Sequence, residues 1–290
     1  MAFFQPEILV QILISAILVG LIYAVIAAGL SLIFGLMEIV NFAHGEIFMW
    51  AMYSSFWLFT LLSVDPLLSI PINIVALGIF GVLVYRGVIR RALRGPMLAQ
   101  MVITFGLATL LRGLAQKLFS PDFRMVPHPF VEGRVELFGA ALGLPQVVAG
   151  FGALIAFLLL WAFITKTEAG LCLQATSQDK QAAALMGIDT ERMYALGWAI
   201  GLACLGVAGA LMANYYYVFP MVGLLFGNIS YIAVALGGFG SILGALVAGI
   251  ILSLVEHVAG WFVPPLKYAA VYMIYIVIVV LRPQGLFGRS

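Results

Sequence analysis

The chain has 290 residues, of which 64% are hydrophobic and 9% are charged, so any polar side chain inside a long apolar run is a candidate for chemistry. Asn41, His44 and Glu46 stand where the first two apolar runs meet, with Glu38 just before them. Asn228, Ser230 and Tyr231 precede the break Gly237-Gly238-Phe239-Gly240-Ser241. Arg112 lies in the distal part of the fourth run, and Glu256 and His257 near the end of the eighth. Amide, imidazole, hydroxyl and carboxylate groups at membrane depth can hold the polar part of a solute. They are expensive there, at roughly 2.5 to 3.5 kcal/mol for a charge, so a use is expected of them. Each has a plainer reading: Asn41 as the N-cap of an interfacial helix, Arg112 snorkelling to the outer surface, Glu256 and His257 as wetted interface residues. Tyr215, Tyr216 and Tyr217 with Phe219 read as an aromatic belt or as the wall of a vestibule. Gly237, Gly238 and Gly240 read either as close packing or as the lining of a path, because irregular backbone at that depth survives only when buried or facing a cavity.

Catalytic patterns are missing. The sequence has no G-x-x-x-x-G-K-[ST] phosphate loop, so energy from ATP would have to come through another subunit. The glycine cluster lacks the preceding strand and following acid of a dinucleotide site. There is no H-E-x-x-H, His44-Gly45-Glu46 is not followed by Pro-Cys-x-x-Cys, and there is no G-x-S-x-G. Cys172 and Cys204 have no paired spacing, which argues against a disulfide or a metal site. No catalytic residue and no metal ligand is assigned. The net charge of +2, with basic residues scattered, does not describe a nucleic-acid surface.

The elements that must position these groups follow from length. About 20 apolar residues cross a hydrocarbon core of roughly 30 Å. Candidate spans cover 8–34, 42–63, 66–85, 97–118, 141–164, 191–213, 222–237, 241–258 and 264–281. The run at 222–237 is short and reads as a half-helix, so eight or nine segments are expected. The run at 8–30 has no basic residue before it and no cleavage site after it, and reads as a retained span. Every backbone polar group in lipid needs an internal partner, and the runs are too long for barrel strands. The fold class is therefore all-α, a polytopic transmembrane helical bundle forming one domain over 1–290.

Lys and Arg are expected on the cytoplasmic side. Placing 86–96, 165–192 and the C-terminus inside puts Arg86, Arg90, Arg91, Arg94, Lys166, Lys180, Arg192, Arg282 and Arg289 there. Arg112, Lys117, Arg124, Arg134 and Lys267 stay outside. The loop 119–140, rich in proline and charge, is then extracytoplasmic. Small residues at helical spacing (Gly20, Ala24 and Ala28; Ala199 and Ala203; Gly240, Gly244 and Ala248) let helices approach closely.

The segment 165–191 is the long polar interruption of the second half. Thr176 with Asp179 three residues on reads as the cap of a short helix over 178–186, stopped by Gly187. Ala182, Leu185 and Met186 share one side of it as an apolar ridge. The segment reads either as a solvated loop helix or as a knob for a cytoplasmic partner.

Gly29 to Gly35 (GLSLIFG), Val40 to Glu46 (VNFAHGE), Ala182 to Asp189 (AAALMGID), Gly237 to Ala245 (GGFGSILGA) and Leu281 to Gly288 (LRPQGLFG) occur in that order. Through them the chain resembles the permease subunits of branched-chain amino acid ABC transporters, in particular the shorter permease of the pair. The resemblance implies import of an amino acid delivered by a periplasmic binding protein across the bacterial inner membrane. Two cytoplasmic ABC ATPase subunits would use ATP and magnesium, with no cofactor on this chain, and a second homologous permease would complete a heterodimer. Urea and short amides are carried by permeases of the same family and stand as the alternative, followed by a stand-alone carrier or channel. The family's coupling segment corresponds to Glu168 through Asp189, with Ala183 and Gly187 at its alanine and glycine positions. The chain departs at Leu171 and Gln174, where members often carry arginine.

Overall fold

A computed structural model of the chain describes residues 6–137 and 139–288. Arg289, counted above among the inner basic residues, lies outside them. Each expected apolar run becomes a helix: α1 (Pro6–Met37), α2 (His44–Leu62), α3 (Ile70–Val84), α5 (Met97–Phe119), α6 (Leu144–Lys166), α9 (Thr190–Ala213), α10 (Val222–Gly237), α11 (Ile242–Phe262) and α12 (Lys267–Leu281). The third run continues past α3 through a π-helical turn, Tyr85–Ile89, into α4 (Arg90–Ala92), while α7 (Glu168–Gln178) and α8 (Lys180–Leu185) occupy the polar segment. Among the described residues seven helices, including the continuous Ile70–Ala92, are long and apolar enough to cross a membrane. The other two apolar helices are the 16-residue α10 and α2, whose first turn carries His44 and Glu46.

Local chemistry accounts for the helix ends. Pro71 and Pro145 sit in the first turns of α3 and α6, where a missing N–H costs nothing. The side chains of Thr167, Asp179, Asp189 and Ser241 accept backbone N–H groups at the starts of α7, α8, α9 and α11. The loop 119–140 ends in an antiparallel hairpin of β1 (Arg134–Leu137) and β2 (Ala140–Gly143), which takes the first residues assigned to the fifth span.

The core forms around α1, apolar on every face and buried almost continuously from Val19 to Ile33. It packs along α11 and crosses α9, and α9 in turn packs along α3. The crossing of α1 and α9 is backbone on backbone, because a methyl group at Gly29 or Gly201 would overlap the other's carbonyl region. Helices α5 and α12 form the rim, with few buried side chains.

Contacts sort the loops into two ends. At one, Gln11 Nε2 donates to the Ala141 carbonyl (2.9 Å), Phe130 N to Asp65 Oδ2 (2.6 Å), and Arg124 bridges to Val218. At the other, Glu191 accepts from the Tyr85 hydroxyl (3.0 Å) and pairs with Arg90 (2.9 Å), joining the end of the third run to the start of α9.

Candidate translocation site

The interior polar site begins with a chain reversal. Glu38 adopts a positive φ of 56°, and the chain folds back beside α1 before α2 starts. His44 Nε2 lies 2.9 Å from the Ile26 carbonyl, to which it must donate, since a carbonyl only accepts. Ile26 stands about 16 Å of helix rise from the end of α1, so α2 starts deep in the bundle. A methyl group at Gly45 would overlap the Gly223 carbonyl, so α10 also starts at that depth. Two helix N-termini therefore meet inside the protein. Glu46, in the first turn of α2, faces the partial positive charge of that terminus.

Arg112 completes this centre. Its Nε donates to Glu46 Oε1 at 2.9 Å and its Nη2 to the same oxygen, with Glu46 2% exposed. The snorkelling expected of Arg112 is thus corrected: a buried carboxylate holds it. Asn41 is not the helix cap either. Ala43 occupies the N-cap position, and Asn41 Oδ1 accepts from Ala43 N (3.1 Å) while its carbonyl accepts from the Tyr231 hydroxyl (3.1 Å). Asn41 Nδ2, His44 Nδ1 and Glu46 Oε2 are buried without protein partners. These three groups leave donor and acceptor capacity at the start of α2 that the chain itself does not fill. Glu256 is also buried, accepting from the Tyr23 hydroxyl (2.8 Å) and pairing with Lys267 (3.1 Å), which corrects its reading as a wetted residue. His257 is partly buried and bonds back to Ser253.

A cavity of about 290 Å³ adjoins this centre, lined mainly by Leu30, Phe34, Val40, Phe42, Ile232 and Val234, with Asn228, Tyr231, Tyr272 and Tyr275 as its polar contacts. Asn228 therefore faces open space. Ser230 does not: it is buried and its hydroxyl donates to the Gly227 carbonyl of its own helix (2.7 Å). Gly237 meets Gly244 across the α10–α11 turn and Gly240 meets Gly35 of α1, so close packing accounts for both. Gly238, at φ 99°, lies against the C-terminal tail, whose Leu286 and Phe287 N–H groups donate to the Leu236 and Gly237 carbonyls (2.8 and 3.0 Å). The glycine break and the tail motif form one structural unit. Tyr215 and Tyr216 are half-buried, and Tyr217 and Phe219 pack on Phe123 of the β-hairpin end of the bundle.

The polar segment forms two helices instead of the one expected. The Thr176 hydroxyl donates to the Cys172 carbonyl within α7, and Asp179 is the cap, its Oδ1 accepting from Gln181 N (2.8 Å) and Ala182 N (3.0 Å). Gly187, at φ 86°, ends α8 as expected: its N–H donates to the Ala184 carbonyl and that of Ile188 to Ala183, both orphan carbonyls of the last turn. Leu185 and Met186 are 88% and 83% exposed, with Ala182 exposed beside them, whereas Ala183 is buried and anchors the helix. The ridge is real and Ala183 is not part of it.

The signals that sequence reasoning missed were opposite charges in two spans, Glu46 and Arg112, and the paired aromatics Phe34 and Phe239. A many-pass helical bundle with two helices starting at its centre, a buried ion pair there and an aromatic-lined cavity beside it defines a membrane-embedded solute-transport subunit. A family model described as branched-chain amino acid transport system / permease component matches residues 12–281, and the chain belongs to that family. It is 30% identical to the high-affinity branched-chain amino acid transport system permease protein BraD of Pseudomonas aeruginosa over 98% of both chains. It is also 30% identical to the LivH permease protein of Escherichia coli, covering 96% of this chain and 95% of that one. A probable branched-chain amino acid transport permease protein LivH of Methanocaldococcus jannaschii is 27% identical over 96% of this chain and 92% of its own length. No solved structure matches the chain.

Proposed function

We propose that this chain is the membrane-spanning permease of an ATP-binding-cassette importer for branched-chain or related apolar amino acids in the bacterial inner membrane. Its partners would be a second homologous permease, two cytoplasmic ATPase subunits that use ATP and magnesium, and a periplasmic binding protein. The observation that carries this reading is the exposed Leu185–Met186 ridge, held on a capped six-residue helix at the basic end of the bundle. Two large apolar side chains in water mark a docking point. The segment 165–191 serves as the coupling element and 119–140 as the outer loop. ATP-driven closure of the motors moves α7 and α8, and the bundle turns its cavity from one side of the membrane to the other. The mainly apolar lining, with an amide and phenol groups among it, suits an aliphatic amino acid better than urea, which has no apolar side chain to bury.

Coexpression with the cognate ATPase, second permease and binding protein, followed by uptake of labelled leucine into proteoliposomes, tests the reading. Leu185→Asp with Met186→Asp is expected to abolish ATP-driven uptake and ATPase co-purification at normal membrane insertion. Uptake without nucleotide by the chain alone would replace the importer with a stand-alone carrier.

A further inference from the structure

Two separate cavities share two walls. The one described above lies beside α10 and α12. A second, of about 530 Å³, opens at the basic end of the bundle, between the end of α1, the start of α11 and the α7 side chains Leu173, Gln174 and Ser177. Phe34 and Phe239 line both. Their rings touch, with centroids 4.4 Å apart and planes tilted by 37°. Phe239 is 49% exposed, unusual for a phenylalanine set at the meeting point of three helices and the chain's tail. It is flanked by Gly238 and Gly240 at φ 99° and 79°, a backbone that glycine adopts without strain and that presents the ring of the residue between them to both cavities. Next to the pair, Gly35 and Gly240 pack backbone to backbone.

We propose that Phe34 and Phe239 form the inner gate of the transport path, a two-ring apolar seal between the aromatic cavity and the cavity beside the coupling helix. The inference rests on the reading of the chain as an importer permease. An apolar seal suits this place because an apolar constriction excludes water and ions when closed and leaves no charge to desolvate when open. Coupling has a short route: α7, which precedes the capped helix α8, walls the lower cavity, so movement of that module changes the space into which Phe239 can turn. The tail, hydrogen-bonded to Leu236 and Gly237, holds the backbone that carries Phe239 in place, so the movement is that of the ring.

The test uses the assembled complex with Cys172→Ser and Cys204→Ala in the background. In inside-out vesicles, Ala235→Cys reports entry to the upper cavity through its reaction with a membrane-impermeant maleimide. With the rings intact the thiol is protected, with Phe239→Ala it reacts, and with the bulky apolar Phe239→Leu it is again protected. In proteoliposomes Phe34→Cys with Phe239→Cys, joined by a short reducible thiol cross-linker that closes the path in place of the rings, carries less leucine than the same variant after reduction. Equal labelling in all three variants, or full uptake by the cross-linked pair, would overturn the gate. A complex with intact rings that protects the thiol yet carries no leucine would instead overturn the substrate reading and leave the gate standing.

Discussion

Glu46 neutralises Arg112 with one oxygen while its second oxygen stays buried and unpaired against the start of α10. Removing one member of such a pair strands the other's charge, at a cost of about 3–5 kcal/mol, whereas replacing both with apolar groups of similar size is often neutral. Glu46→Ala and Arg112→Ala are each expected to lower the thermal midpoint in detergent sharply, and Glu46→Leu with Arg112→Met to recover most of it. Singles and double melting alike would remove the pair from the list of what holds α2 to α5. A second buried contact is smaller: Tyr23→Phe deletes the hydroxyl that donates to Glu256, with an expected loss of about 1–3 kcal/mol in the same assay. Glu46 and Arg112 were each visible in the sequence as expensive groups. Their pairing was not, because they are 66 residues apart and nothing in either span says which neighbour it faces.

At the scale of elements, glycines divide into those that hold helices together and those that face open space. Gly45 presses on α10 and Gly206 on α3, whereas Gly106 and Gly113 of α5 have no atom within 4 Å of where a Cβ would be. Gly45→Val and Gly206→Val are therefore expected to cost more than about 3 kcal/mol, beyond ordinary overpacking, because the obstacle is backbone. Gly106→Val and Gly113→Val should leave the purified chain monodisperse, and size-exclusion chromatography of the four variants checks the contrast. Helix positions were legible from apolar length alone, to within a few residues at most ends. The depth at which α2 starts was not, since N-F-A-H-G-E reads equally well as an interfacial turn or a re-entrant one. Only the bond from His44 to the middle of α1 separates them. The helix expected at 178–186 begins instead at Lys180, because Asp179 caps more strongly than Thr176, whose hydroxyl is satisfied by the preceding turn of the separate α7.

Across the whole molecule, the basic residues of 86–94, 165–192 and Arg282 gather at one end and the β-hairpin with Asp65 at the other, as a charge-sided bundle requires. Single thiols in a cysteine-free background make the sidedness measurable: Ser177→Cys should be labelled only from the cytoplasm and Glu132→Cys only from the periplasm. Labelling of both from one side would break the topology. The packing also repeats, α1 lying along α11 as α9 lies along α3, with α2 and α10 facing each other at Gly45 and Gly223. That repetition left no trace in the sequence, because small residues at crossings tolerate many neighbours. It has a bearing on how the protein is made. Neither α2 nor the 16-residue α10 is long and apolar enough to enter the bilayer unaided, so during synthesis each must wait for the long helices that shelter it. A nascent chain halted after α10 would hold that segment poorly, and cells should degrade it. The same chain extended through α11 would add that helix to α1 and α2 as a neighbour of α10 and is expected to persist longer, which pulse-chase of the two truncations checks.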